Sequence, residues 1–321
     1  MPLVLDPKVE ALLGVIRSAG KPPFELLTPE QARQAYAAGW DFLQEAPEVV
    51  AHVQDVAIPG PAGDLNVRVY RGQGTQAGEA LPCLLFLHGG GWVIGNLDSH
   101  DRLCRQLANR ARICVVAVDY RLAPEHPYPA ALEDSLAALH WVASAASPLV
   151  ISKDRIAIGG DSAGGNLAAV LALMGREGMA PRVMYQALIY PVTDLTCSSE
   201  SYRRVTSGVP LTAATMDWFI RHYVPASVDL KDWRVSPLHA RQLAGTPPAL
   251  VVTVGGDPLC DEGRAYAHRL EEEGVRVSSL HMSDQLHGAA LQGRQVPAGA
   301  LIPDWVGLQL RYALHQAPAL S

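Results

Sequence analysis

Residues 159–165, Gly-Gly-Asp-Ser-Ala-Gly-Gly, decide the fold of this chain. They follow the apolar run 155–158, Arg-Ile-Ala-Ile, and precede the Ala- and Leu-rich segment 166–174. A β-branched run, a glycine-rich corner and an unbroken Ala/Leu segment predict a strand, a sharp turn and a buried helix. The sequence therefore places Ser162 on the turn between a strand and a helix.

Gly160, Ser162 and Gly164 form a G-x-S-x-G spacing around this turn. The missing β-carbons let the chain reverse tightly while the serine takes a strained conformation that exposes its hydroxyl, as in a nucleophile elbow. The helix that follows points free N–H groups and its positive dipole end at the serine, which favours a nearby anion. A chain with 28 glycines can produce this spacing by chance, so other residues must support the interpretation.

The bulk composition indicates a globular protein with a large core. The chain has 321 residues, of which 49% are apolar and 18% charged, which suits a single α/β enzyme with an added lid. The net charge of −6 and the absence of a Lys/Arg cluster argue against nucleic acid or an anionic membrane surface as a partner. We expect no metal and no cofactor.

The cysteines and the N-terminus bear on the cellular compartment. The five cysteines are scattered and lack metal-ligand spacing, so we expect free thiols in a reducing compartment. The first residues do not resemble a signal peptide, and no run approaches the roughly 20 apolar residues of a membrane span. We predict a soluble cytoplasmic protein. The cysteines are Cys83, Cys104, Cys114, Cys197 and Cys260.

Strands and helices are predicted to alternate along most of the chain, which favours a mostly parallel sheet with helices on both faces. The predicted strands are a hairpin, Val50–Ile58 and Leu65–Tyr70, followed by Cys83–Leu87, Ile113–Val118, Ile156–Ile158, Val183–Tyr190, Ala249–Val254 and Val275–His281. Besides the helix after Ser162, the predicted helices are Arg102–Ala111, Ala130–Ala146, Asp261–Gly274 and Ile302–Ala317.

Two segments interrupt this alternation. Within the segment 1–45, residues 6–45 have the periodicity of two amphipathic helices, and residues 196–233 contain a polar stretch and a predicted helix, Ala213–Tyr223. We expect both to form a helical cap over the carboxyl edge of the sheet, where open α/β folds bind ligands. The catalytic core would then comprise residues 46–195 and 234–321.

A second glycine-rich motif, residues 88–92 (His-Gly-Gly-Gly-Trp), directly follows a predicted buried strand. Successive glycines leave backbone N–H groups unshielded, so they can donate hydrogen bonds to an oxyanion. We predict that Gly90, Gly91 and Ala163, beside the serine, supply these N–H groups.

A nucleophilic serine needs a base, and His287 follows the last predicted strand, in a loop that can reach Ser162. His281 falls within the strand periodicity and is expected to be packed in the sheet. His88, in the oxyanion motif, and His126, in a proline-rich turn, are expected to be structural.

The base in turn needs a carboxylate that fixes its tautomer. Asp257 follows the predicted strand Ala249–Val254, at the edge where catalytic groups gather in such sheets. Asp261 and Glu262 are better explained as acidic starters of the next helix. Asp284 is the remaining rival, but it shares one loop with His287. The order serine, aspartate, histidine is the one expected for this elbow architecture.

Four blocks, residues 88–92, 119–130, 160–165 and 257–263, resemble those of the hormone-sensitive-lipase-like α/β-hydrolases, the bacterial family IV carboxylesterases. The resemblance implies an α/β-hydrolase fold with a cap, no cofactor, hydrolysis of short to medium acyl esters, and a structural role for the proline-rich block 119–130. It also makes a homodimer through the last strand plausible. The chain departs from the family in having Ala289 where an aromatic residue usually stands, which leaves the local packing and the pocket width open.

The residues alone leave three functions open. We favour a serine carboxylesterase that works through an acyl-enzyme intermediate, because nucleophile, base, acid and oxyanion donors are all present. An amidase or deacetylase would use the same site, and a ligand-binding receptor on a hydrolase scaffold would lack one member of the triad. Four aromatic residues are candidates for an acyl or alcohol pocket, although core packing explains each of them as well: Trp40, Trp92, Trp218 and Phe219.

Overall fold

The computed structural model describes residues 3–76, 78–144 and 149–316. Within these ranges, eight strands form one sheet. The strands are β1 (His52–Gly60), β2 (Gly63–Arg71), β3 (Leu81–Leu87), β4 (Cys114–Val118), β5 (Ile151–Asp161), β6 (Tyr185–Ile189), β7 (Ala249–Gly256) and β8 (Val277–Leu286).

The strand order across the sheet is β1-β2-β4-β3-β5-β6-β7-β8. β1 and β2 form the predicted antiparallel hairpin, and β2 pairs antiparallel with β4. All the other neighbours are parallel. The carboxyl ends of β3 to β8 therefore lie at one edge of the sheet, and the predicted mostly parallel α/β architecture is confirmed.

Ten α-helices lie within the described ranges. They are α1 (Pro7–Ser18), α2 (Pro29–Ala37), α3 (Trp40–Leu43), α4 (Asp101–Ala111), α5 (Ala130–Ala143), α6 (Ala163–Arg176), α7 (Glu200–Arg204), α8 (Ala213–Tyr223), α9 (Cys260–Glu272) and α10 (Leu301–Gln316). The second of the two helices predicted within residues 1–45 is divided into α2 and α3, and the sequence did not predict the short helix α7. The predicted ends at residues 146 and 317 lie outside the described residues.

The sheet separates two hydrophobic cores. α4 and α10 pack on one face, whereas α5, α6 and α9 contribute to the core on the other. Side chains of β3 alternate between them, with Leu84 and Phe86 in the first core and Leu85 and Leu87 in the second. Because β3 is buried on both faces, its sequence is apolar throughout, as predicted.

Among the strands that are longer than the sequence predicted, β5 and β8 extend furthest beyond a predicted end. β5 begins at Ile151 because Leu81 of β3 pairs with that residue. β8 continues past His281 to Leu286, which pairs with Gly256 beyond an irregularity in the ladder. As a consequence, residue 287 directly follows a strand instead of lying in a long loop.

The structure also bears on the cysteines and on membrane spanning. All five cysteines are free, as expected, and four of them are buried. Across residues 3–76, 78–144 and 149–316, no helix combines the length and apolar character needed to cross a bilayer.

Candidate active site

Ser162 lies at the carboxyl edge of the sheet, between the last residue of β5 and the first of α6. Its backbone is strained, with φ 55° and ψ −119°, an arrangement that costs about 1–3 kcal/mol. Backbone hydrogen bonds hold it there: its N–H donates to the carbonyl of Ile189 (2.9 Å), and its carbonyl accepts from the N–H groups of Asn166 (3.0 Å) and Val192 (3.3 Å). The neighbouring strand and the helix thus maintain the predicted elbow.

The glycines on either side of Ser162 are required by close packing against β3. A β-carbon at Gly160 or at Gly164 would overlap the backbone carbonyl of Leu87. A side chain at either position would therefore push the elbow away from the strand below it. The G-x-S-x-G spacing thus reflects contact between two backbones.

His287 and Asp257 converge on Ser162 from the ends of β8 and β7. Nε2 of His287 lies 2.9 Å from Oγ of Ser162, and Nδ1 of His287 lies 2.7 Å from Oδ2 of Asp257. The Asp257 side chain is fully buried, and its other oxygen accepts the N–H of Leu259 at 2.8 Å. The ring of Tyr190 lies 4.7 Å from the imidazole of His287, between ring centroids. The three predicted side chains therefore form one continuous hydrogen-bonded chain.

The other candidates for the base and the acid, His281, His126 and Asp284, do not contact Ser162 or His287 through a hydrogen bond within the described residues. His281 lies in β8 as expected, but it is exposed instead of packed, and its Nδ1 lies 2.9 Å from Oγ1 of Thr253. Its side chain is exposed because β8 forms the edge of the sheet. The carboxylate of Asp284 accepts a hydrogen bond from the neighbouring Gln285 at 3.2 Å. His126 is exposed in the proline-rich turn.

Gly90 and Gly91 turn beside the elbow with φ values of 123° and 57°, which favour glycine. The N–H of the preceding Gly89 donates to Oδ1 of Asp161 at 2.8 Å. Within the described residues, the N–H groups of Gly90 and Gly91 have no acceptor. Ala163 is the first residue of α6, so its N–H has no partner within the helix. All three N–H groups are thus free to bind an anion.

A buried polar network lies beneath residues 88–93, which we call the oxyanion loop after their expected role. The carboxylate of Asp161, next to Ser162, contacts Nε2 of His100 at 3.0 Å, and Nδ1 of His100 lies 2.8 Å from Oγ of Ser99. Burial alone would raise the pKa of Asp161, but His100 and the N–H of Gly89 hold this pKa below its ordinary value. The negative charge of Asp161 therefore anchors the loop through Gly89.

His88 also lies in this network and is structural, as predicted. Its ring stacks on Tyr120 with a centroid distance of 4.1 Å, and the Tyr120 hydroxyl donates to the His88 carbonyl at 2.6 Å. Burial, together with the neighbouring His100, lowers the pKa of His88 to about 3. His88 is therefore neutral in the folded protein at neutral pH.

The proline-rich block 119–130 supports the oxyanion loop, in agreement with its implied role. The N–H of Ala123 donates to the carbonyl of Trp92 at 2.8 Å, in addition to the Tyr120 bond. Arg33 of α2 donates to the carbonyl of Val93 at 2.8 Å and pairs with Glu125 at 2.6 Å. The block therefore links the oxyanion loop to the N-terminal helices.

Of the four aromatic candidates for a substrate pocket, Phe219 lies directly against the oxyanion loop: a β-carbon at Gly91 would overlap its ring. Trp92 is fully buried and stacks on Tyr223 at 4.3 Å, which is a core contact. Trp218 is also buried, and half-buried Trp40 packs edge-on against another N-terminal aromatic ring at 6.1 Å.

Glu262 has a role that the sequence did not reveal. It lies in the first turn of α9, as predicted, but it is buried, and its Oε1 accepts the N–H groups of Thr193 (2.7 Å) and Asp194 (3.1 Å). Burial raises its pKa well above the ordinary value. Glu262 thus anchors the loop after β6, a tertiary contact without a local sequence signal.

In the part of the chain that is described, no group of three His, Cys, Asp or Glu side chains could hold a metal ion.

Comparison with known proteins agrees with this geometry. A family model described as an alpha/beta hydrolase fold matches residues 84–291. The carboxylic ester hydrolase LipN of Mycobacterium tuberculosis is 41% identical over 290 residues, which cover 88% of this chain and 76% of LipN. The ethyl acetate hydrolase of Pseudomonas putida is 40% identical over 85% of this chain and 88% of its own length.

The chain belongs to the hormone-sensitive-lipase-like carboxylesterases of the α/β-hydrolase fold. This carboxylesterase also resembles an ester hydrolase from the metagenome of Lake Arreo, solved with a bipyridine phosphonate derivative. That structure superposes with a TM-score of 0.93 at 40% identity, covering 96% of this chain and 98% of the other. The carboxylesterase is a serine ester hydrolase.

Proposed function

We propose that this carboxylesterase hydrolyses short to medium acyl esters through an acyl-enzyme intermediate on Ser162. The observation that carries the proposal is the hydrogen-bonded chain from Ser162 through His287 to Asp257, with distances of 2.9 and 2.7 Å. Both lie within the range expected of a nucleophile, its base and the group that orients the base. The substrate class is supported by the relative named for ethyl acetate.

In the proposed reaction, Oγ of Ser162 attacks the ester carbonyl carbon while Nε2 of His287 removes the hydroxyl proton. Asp257 keeps the imidazole in the required tautomer and stabilises its positive charge. The tetrahedral intermediate collapses, the C–O bond to the alcohol breaks, and His287 protonates the leaving alcohol. A water molecule then attacks the acyl-enzyme with the same base, which releases the acid and restores Ser162.

The negative oxygen of each tetrahedral intermediate would be stabilised by the N–H groups of Gly90, Gly91 and Ala163. Their lack of acceptors within the described residues supports this role. In comparable sites, the loss of one such donor costs about 3 kcal/mol of transition-state stabilisation. The buried Asp161 would preorganise the loop, because it already holds Gly89.

We further propose that residues 1–45 and 196–233 form a cap over this site, and that the core comprises residues 46–195 and 234–321. Contacts between the two cap segments support this division: Oγ1 of Thr215 donates to Glu25 at 2.8 Å, and the rings of Phe24 and Phe219 lie 6.4 Å apart. Phe219, a cap side chain that lies against Gly91, would then limit the acyl or alcohol group.

The pocket proposal is tested by Phe219→Ala, and Trp218→Ala tests the second aromatic candidate on the same helix. Because Phe219 covers Gly91, its truncation should shift the preference towards longer acyl chains, measured as kcat/KM over a p-nitrophenyl ester series. An unchanged chain-length profile for Phe219→Ala would remove this residue from the pocket.

The proposed activity is tested with p-nitrophenyl acetate, butyrate, octanoate and palmitate, and with p-nitroacetanilide as the amide analogue. We expect the highest kcat/KM for the short and medium esters and no turnover by Ser162→Ala, whose fold is checked by circular dichroism. Faster cleavage of the anilide than of the acetate would identify an amidase instead. Activity retained by folded Ser162→Ala would reject the nucleophile.

A further inference from the structure

A row of four aromatic side chains runs from the oxyanion loop into the N-terminal helices. Its first member, Phe219, lies against Gly91. The ring of Phe24 lies 6.4 Å from that of Phe219, between centroids. Tyr36 follows at 6.5 Å from Phe24, and Trp40 lies 6.1 Å from Tyr36. Because the indole N–H of Trp40 is enclosed by the protein, the Tyr36 hydroxyl is the polar group that this aromatic row can offer to a substrate.

The attachment of α2 fixes the direction in which Tyr36 points. The helix begins at a capping box, in which the Thr28 hydroxyl accepts the N–H of Gln31. Nε of Arg33 donates to the carbonyl of Val93, in the oxyanion loop, at 2.8 Å. Residues three positions apart share one face of a helix, so Tyr36 projects from the face of α2 that is attached to the oxyanion loop.

The electrostatic surroundings place the Tyr36 hydroxyl on the side of Ser162. Burial and the carboxylate of Asp161, which directly precedes Ser162, raise the pKa of Tyr36 above its ordinary value. Tyr36 in turn contributes to the raised pKa of Tyr190. The ring of Tyr190 lies 4.7 Å from that of His287. The hydroxyl therefore lies near Ser162 and His287, and it is a neutral hydrogen-bond donor at neutral pH.

The Tyr36 hydroxyl is also free to bind. Within the described residues it has no hydrogen-bond partner. The unpartnered hydroxyls of Tyr190, Tyr202 and Tyr266 are enclosed by protein atoms, whereas that of half-buried Tyr36 is not. A small molecule in the site can thus reach a donor that the protein itself leaves unused.

We propose that the Tyr36 hydroxyl binds an oxygen atom of the substrate outside the scissile ester group. The enzyme would then prefer esters that carry an ether or keto oxygen in the acyl or the alcohol part. The inference rests on the ester hydrolysis proposed above. A hydrocarbon chain along the aromatic row would displace water from the hydroxyl and leave it unpaired, whereas an oxygen at that point would accept its hydrogen bond.

Two pairs of esters, each differing by one oxygen in place of a methylene group, test this preference. On the acyl side they are p-nitrophenyl methoxyacetate and p-nitrophenyl butyrate, and on the alcohol side 2-methoxyethyl acetate and butyl acetate. The measured quantity is the ratio of kcat/KM for the oxygenated ester to that for its hydrocarbon counterpart. Comparing this ratio between the unsubstituted protein and Tyr36→Phe cancels the intrinsic reactivity of the esters.

We expect Tyr36→Phe to lower the ratio about 3- to 10-fold in at least one pair, as for the loss of one neutral hydrogen bond. The pair that responds identifies the part of the substrate that Tyr36 binds. The matched control, Tyr266→Phe, removes an unpartnered hydroxyl that is enclosed beside Arg269 and Glu273 of α9, and it should leave both ratios unchanged.

Ratios that are unchanged or raised in both pairs would overturn the proposal, even if Tyr36→Phe slowed all four reactions equally, because an equal loss indicates a structural role. A folded, unsubstituted protein that hydrolyses none of the four esters would give a different result. It would reject the proposed ester hydrolysis, and the role of Tyr36 with it.

Discussion

Adjacent residues at the elbow serve different purposes. The side chain of Asp161 points beneath the oxyanion loop and binds Gly89 and His100, whereas that of Ser162 points to His287. The strained backbone of Ser162 separates the two directions. Consequently one turn positions both the proposed nucleophile and the loop that would stabilise the oxyanion. The sequence correctly placed Ser162 on a turn between a strand and a helix, but the buried partners of Asp161 come from distant segments and have no local signal.

Asp257→Asn tests the orientation of the base. An asparagine retains the shape of the side chain but can hold His287 in the wrong tautomer, so kcat should fall by roughly 10⁴-fold. The matched control is Asp284→Asn, whose carboxylate contacts Gln285, and it should leave kcat within a few-fold. Steady-state kinetics with p-nitrophenyl butyrate measures both variants. The opposite ranking would transfer the acid role to Asp284.

His88 gives the folded protein a predictable dependence on pH. Because its pKa falls from 6.5 to about 3 on folding, the folded state binds fewer protons than the unfolded state. The neutral, buried His88 therefore contributes fully to the free energy of unfolding above pH 6.5, and this contribution is lost as the pH falls towards 3. This group alone should lower the free energy of unfolding by about 2 kcal/mol between pH 7 and pH 5.

The measurement compares urea unfolding of the unsubstituted protein and His88→Gln at these two pH values. We expect the variant to be less stable at both pH values, but its loss of unfolding free energy between pH 7 and pH 5 should be smaller by that amount. Equal losses of unfolding free energy in the two proteins would show that His88 is not neutral and buried in solution.

At the scale of elements, the elbow depends on the close approach of the β5–α6 corner to β3. The glycine spacing predicted a tight turn, and the structure adds that the carbonyl of Leu87 occupies the space of a side chain at both glycines. The sequence pattern thus identified the turn but not the strand against which it packs.

Gly164→Ala should therefore destabilise the protein by roughly 3 kcal/mol, because a methyl group there overlaps backbone atoms that cannot rotate away. Gly14→Ala is the matched control: it lies in α1 with no atom within 4 Å of an added β-carbon, and it should stabilise by about 0.5–1 kcal/mol. Thermal unfolding measures both changes. A Gly164→Ala protein with an unchanged melting temperature would contradict the close contact.

β8 illustrates what local patterns miss. Its second half is rich in polar residues and lies at the sheet edge, so its alternation is weak, and the sequence placed the strand end at His281. Pairing with β7 extends the strand to Leu286. The prediction that His287 faces Ser162 was nevertheless correct, because the residue still leaves the sheet at its carboxyl edge.

At the scale of the whole molecule, topology explains why distant residues meet. Ser162 and His287 are 125 positions apart, and His287 and Asp257 are 30 positions apart, yet all three follow parallel strands whose ends share one edge. Parallel pairing can be predicted from the alternation of strands and helices. The strand order and the packing of aromatic cap residues depend on tertiary contacts, so Trp92 could not be assigned to the core in advance.

The central claim, that Ser162 is the nucleophile of an ester hydrolase, is tested most directly by labelling with diethyl p-nitrophenyl phosphate. Intact-mass measurement and peptide mapping should find one diethylphosphoryl group per chain, on Ser162, formed in proportion to the loss of esterase activity. Ser162→Ala should remain unlabelled. Loss of activity with the label on another residue, or an active protein in which Ser162 does not react, would contradict the account.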